Sequence, residues 1–109
     1  MVSGIRQDSI AAADQIVTHS AANPYRISLT SRDDIWGSNG VVANYGMQLL
    51  VANAFQPNSR YVETALENLH YLLGRNTFSL SFVTQVGANP FRHPHHRPSG
   101  ADTNAEPWR

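Results

Sequence analysis

The chain has 109 residues, 41% of them hydrophobic, and a formal net charge of +0. That length suits one small domain, and that composition excludes disorder throughout. The charge balance gives no basic face for nucleic acid or an anionic membrane, and no apolar run reaches the roughly 20 residues of a membrane span. Cysteine is absent, which excludes disulfides, thiolate metal sites and a cysteine nucleophile. Met1 to Ile5 do not form a charged segment followed by an apolar core, so no secretory signal is read here.

The first helix is expected over about residues 5–19. Ile10, Ala13, Ile16 and Val17 share one face at helical spacing, with Arg6, Asp8, Asp14 and Gln15 on the other. Pro24 interrupts helical structure and begins a loop. A second helix is expected over about 39–55, capped by Ser38 or Asn39. Val41, Val42, Tyr45, Leu49 and Ala52 form its apolar stripe. No charged residue falls between Gly40 and Phe55, so this helix is expected to be covered on more than one side. The third helix is expected over about 59–73. Val62, Ala65, Leu66, Leu69, Leu72 and Leu73 form its stripe, Glu63, Glu67 and Asn68 its opposite face, and Gly74 a left-handed stop. The short link Gln56-Pro57-Asn58 makes the last two helices an antiparallel hairpin.

Beyond Gly74 the pattern changes. Pro90, Pro94, Pro98 and Pro107, with Gly87 and Gly100, exclude a long helix; a short strand fits Leu80 to Val83. A loop spanning 75–109 is too long to be a mere connection. It is expected to serve function, or to pack against elements outside these residues. Its segment 91–97, Phe-Arg-His-Pro-His-His-Arg, sets three imidazoles and two guanidiniums on a proline-stiffened backbone. Donors held in this way lose less entropy when they bind hydroxyls or anions.

Ser81, Val83, Thr84, Gly87, Asn89, Pro94, His95 and Arg97 stand at the spacings of one motif, and in these the chain resembles glycoside hydrolase family 9. Leu72-Leu73-Gly74-Arg75-Asn76 resembles the helix end that precedes the motif, and Trp36-Gly37-Ser38-Asn39 another recurrent piece. Ser99-Gly100-Ala101-Asp102 and Glu106-Pro107-Trp108 agree as well. An ordered eight-position motif with flanking agreement is a specific signal.

The resemblance implies an all-α fold, part of an (α/α)6 barrel, with residues 1–109 a partial catalytic domain. It implies a secreted cellulase that cleaves β-1,4-glucans with inversion, without a cofactor. Inversion requires a carboxylic acid to protonate the leaving oxygen and a carboxylate to activate water on the opposite face. The family's base, one of an aspartate pair, and its acid, a glutamate, fall outside the matched residues. His95 matches an active-site histidine and Arg97 its arginine partner, both expected to bind sugar beside the scissile bond. Trp36 is a further candidate for stacking on a sugar ring, against a packed tryptophan at a helix start.

The other polar residues read as structure. His93 and His96 are loop residues, and a zinc site made of His93, His95 and His96 is the minor reading. Asp102 and Glu106 are solvated loop carboxylates, not a local acid and base. Asp33 and Asp34 are loop polarity, and Tyr45, Tyr61 and Tyr71 are core or hairpin contacts. The alternative function is a non-catalytic glucan-binding or structural fragment; a small hydrolase using only local acids ranks third. The expected partner is a β-1,4-glucan, with no nucleic acid and no membrane. Self-association through the apolar second helix is expected of the isolated chain.

Overall fold

A computed structural model describes residues 2–33 and 35–92. Three helices follow in order: α1 (Val2–Ala22), α2 (Ser38–Phe55) and α3 (Ser59–Leu72). Two compact units result, Met1–Tyr71 and Leu72–Arg109.

In the first unit, α1 extends about one turn beyond the expected span at both ends. Its alanines favour continuation, and Pro24 sets the limit through the turn that follows. In that turn Asn23 Oδ1 accepts from Tyr25 N–H (2.8 Å) and Asn23 O from Arg26 N–H (2.9 Å). Ala13, Ile16 and Val17 are buried, as their spacing requires. They meet Leu49 and Ala52 of α2 and Tyr61 of α3, with Tyr45 and Ala65 packed against this core.

The start of α2 differs from the expected capping by Ser38 or Asn39. Gly37 occupies the cap in the left-handed region (φ 81), and no side chain bonds to the helix end. Gly37 O instead accepts from Gly40 N–H at 2.8 Å. A residue with a Cβ is strained at that φ, so glycine determines where the helix begins. The α2 stripe is buried at Val42, Leu49 and Ala52. Met47, Leu50, Val51 and Phe55 remain exposed, so one side of α2 is covered among the described residues.

Contacts down α2 and α3 run in opposite directions, as an antiparallel hairpin demands. Asn58 N–H donates to Asn53 Oδ1 (2.9 Å) at the turn. Further along, a Cβ on Gly46 would lie 3.9 Å from Ala65 O. Further still, Asn68 Nδ2 donates to Val42 O (3.4 Å).

The buried face of α3 is shifted from the expected one: Ala65 packs against the core and Glu63 is exposed, as expected, but the most buried positions are others. Tyr61, Thr64 and Asn68 are buried, whereas Val62, Leu66 and Leu69 are 37%, 47% and 45% exposed. Polar ties choose this side. Tyr61 Oη donates to Asp14 Oδ1 of α1 (2.7 Å). Asn68 Oδ1 accepts from both the N–H (3.1 Å) and the hydroxyl (3.0 Å) of Ser28. A buried polar residue is stable when its hydrogen bonds are met, so Asn68 belongs inside although its type and spacing suggest solvent.

In the second unit the strand expected over 80–83 is absent among the described residues. One isolated parallel bridge, Ser81 to Pro90, replaces it.

Candidate functional site

The loop joining α1 to α2 is fixed at three points. Ser20 Oγ donates to Arg26 O (2.9 Å) at its start. The buried Ser28–Asn68 pair secures its middle. Near its end Asp33 gathers three donors: Oδ2 accepts from Thr30 N–H (2.8 Å) and Thr30 Oγ1 (2.9 Å), and Oδ1 from Tyr45 Oη (3.0 Å). The Thr30 backbone bond, with the Thr30 and Tyr45 hydroxyls behind it, holds the Asp33 carboxyl below its ordinary value of 3.8 against the opposing effect of burial. Burial, then the Asp33 carboxylate, raises the Tyr45 phenol. At neutral pH the pair is therefore an ionised acceptor and a protonated donor.

Asp33 and Tyr45 line an open cavity of about 540 Å³, together with Gln15 and His19 of α1. Trp36, three residues after Asp33, is 97% exposed among the described residues.

The loop of the second unit is organised around two small polar side chains. Asn76 is buried; its Oδ1 accepts from Phe78 N–H (3.1 Å) and Leu80 N–H (3.3 Å), and its Nδ2 donates to Leu80 O (2.8 Å). Ser81 is fully buried. Its N–H donates to Asn89 O (2.8 Å), its O accepts from Phe91 N–H (2.9 Å), and its hydroxyl donates to Val83 O (3.2 Å). Phe82 N–H donates to Leu72 O (2.8 Å), returning the chain to the end of α3. Asn89 Nδ2 reaches Ser79 O (3.1 Å). Gly87 (φ 91) sits so close that a Cβ would be 3.2 Å from both Leu73 O and Ser81 Cβ. Only glycine fits without displacement, for reasons of φ and of space.

These contacts divide the motif. Ser81, Gly87 and Asn89 shape the loop; Pro94, His95 and Arg97 lie outside the described residues, as do His93, His96, Asp102 and Glu106. Of the expected sugar-binding residues, Trp36 alone is described. Among the described residues no group of three or more His, Cys, Asp or Glu could hold a metal ion. Sequence reasoning missed the Asp33–Tyr45 pair and Asn68. The available signal was an aspartate three residues after a threonine, a spacing that lets a side chain close a turn on the preceding backbone.

The sequence profile of Glycosyl hydrolase family 9 matches residues 3–108. Endoglucanase D of Acetivibrio thermocellus is 41% identical over 108 residues, covering 99% of this chain and 17% of that protein. Cellodextrinase of Butyrivibrio fibrisolvens is 35% identical over 103 residues, covering 94% of this chain and 19% of that protein. Among solved structures, AaCel9A in complex with a cellobiose-like isofagomine superimposes with a TM-score of 0.85 at 32% identity, over 96% of this chain and 20% of that one. The chain thus spans less than a fifth of the length of the curated relatives named here, and its three helices are a portion of an (α/α)6 barrel. On a profile match running almost end to end, the chain belongs to glycosyl hydrolase family 9.

Proposed function

We propose that these residues form one wall of the substrate cleft of an inverting, secreted β-1,4-glucanase. The observation that carries this reading is the ordered motif from Ser81 to Arg97 inside a family match over residues 3–108. The activities for which Endoglucanase D and Cellodextrinase are named support a β-glucan as the substrate class. His95 and Arg97 bind the sugar ring at the cleavage point, and Trp36 is a further candidate for stacking on a sugar ring. The two carboxylates that move protons come from outside this segment. The partner is therefore a glucan; among the described residues no helix is long and apolar enough to cross a membrane.

Imidazole and guanidinium donors act on hydroxyl oxygens. A contact that tightens as the ring distorts lowers the barrier more than it improves ground-state binding. In the complete catalytic domain, His95→Ala and Arg97→Ala should each lose about 1–3 kcal/mol of transition-state stabilisation. His96→Ala should change little. Steady-state kinetics on a soluble β-glucan test this, and equal losses at His95 and His96 would sink the assignment. The second reading, a segment that holds glucan without taking part in cleavage, predicts a raised KM with unchanged kcat in His95→Ala and Arg97→Ala.

A further inference from the structure

We infer that Asp33, braced by Tyr45, is a positioning residue that fixes the backbone beneath Trp36, so that the indole stands as a preset platform for a glucosyl ring.

The inference rests on the proposed role of Trp36 and adds the device that holds it. Within this unit the Trp36 ring is 97% exposed and has no packing of its own to fix it. Among the described residues its position comes from the chain below. That chain is bonded on both sides of the ring. Asp33 N–H donates to Thr30 O (3.0 Å), while the Asp33 carboxylate closes back on Thr30 N–H and Oγ1 (2.8 and 2.9 Å). Asp33 O then accepts from Ile35 N–H (2.8 Å), and Ile35 O from Ser38 N–H (3.1 Å), which begins α2. Trp36 lies inside this last turn, next to Gly37 at φ 81. The Tyr45 hydroxyl joins the turn to the body of α2 through its 3.0 Å bond to Asp33, and the Tyr45 ring packs against the core. The carboxylate thus connects an exposed aromatic to the buried part of the unit. A platform fixed in this way loses less freedom when a sugar stacks on it, which improves binding without changing the chemical step.

The test uses the complete catalytic domain and a soluble cello-oligosaccharide. Trp36→Ala, Tyr45→Phe, Asp33→Ala and Asp33→Asn are compared for KM, kcat and thermal midpoint. Tyr45→Phe removes one hydroxyl and leaves the ring in place. It should raise KM about three- to tenfold with kcat within about twofold. Asp33→Ala should raise KM further, and Asp33→Asn, which keeps an acceptor for Thr30, should recover part of the loss. In a Trp36→Ala background neither Asp33 nor Tyr45 substitution should raise KM again. If Trp36→Ala raises KM while the Asp33 and Tyr45 variants leave it alone, the inference fails and the platform reading stands. The inference also fails if those variants lower kcat and thermal midpoint together and add in full to Trp36→Ala, the behaviour of a general structural defect. If Trp36→Ala itself leaves KM unchanged, the platform reading falls and takes the inference with it.

Discussion

At the scale of single residues, small polar side chains do much of the organising in this chain. Asn68 is 1% exposed and joins three segments: its own helix, the loop at Ser28 and the α2 backbone at Val42. Asn68→Ala removes the acceptor and strands the Ser28 N–H and hydroxyl away from water. Leaving buried donors unmet should cost about 1–3 kcal/mol, read as a lower urea midpoint with an unchanged slope. Exposed polar residues of the same helix, such as Glu63, should tolerate alanine within about 0.5 kcal/mol. Tyr61 is a second such residue. Its hydroxyl donates to Asp14, and that bond, followed by burial, raises the phenol above its ordinary value. The hydroxyl therefore stays protonated across the neutral range and remains a donor.

At the scale of elements, two glycines make opposite predictions because their surroundings differ. Gly87 has φ 91 and no room for a Cβ beside Leu73 O and Ser81. Gly87→Ala should cost about 1–3 kcal/mol of local strain and loosen the bridge between Ser81 and Pro90. Gly40 lies in the first turns of α2, where a Cβ would meet nothing within 4 Å. Gly40→Ala should stabilise by about 0.4–1 kcal/mol, since alanine narrows the unfolded ensemble and favours helix. Thermal midpoints that moved in the same direction for both substitutions would contradict this pairing. The leucine stripe of α3 belongs to this scale too. Its periodicity is strong, yet among the described residues Leu66 and Leu69 are about half exposed, while Asn68 and Tyr61 tie the helix down on another side.

For the chain as a whole, much apolar surface is uncovered among the described residues: Met47, Leu50 and Val51 on α2, and Val62, Leu66 and Leu69 on α3. Exposed apolar surface of this kind promotes association. The isolated 109-residue chain is expected to self-associate and to hydrolyse no β-glucan. Sedimentation velocity with and without Leu50→Glu and Leu66→Glu checks the first point; a monomer that ignores both charges would refute it. Reducing-sugar release checks the second. Hydrolysis abolished by Asp102→Asn or Glu106→Gln would instead favour a small enzyme that uses local acids.

The sequence alone determined the number of helices, the α2–α3 hairpin and the family. Helical spacing, the proline positions and the three-residue link are local properties, and the Ser81-to-Arg97 motif is specific in order and distance. Only the tertiary structure decided which side of α3 is buried, that Gly37 caps α2, and that Asp33 closes a turn onto Thr30 and Tyr45. The reason is physical. Periodicity records that a helix has two faces, but which face is covered depends on partners distant in the chain, as Ser28 is from Asn68. In the same way, a carboxylate in a loop reads as solvated until the fold brings donors to it.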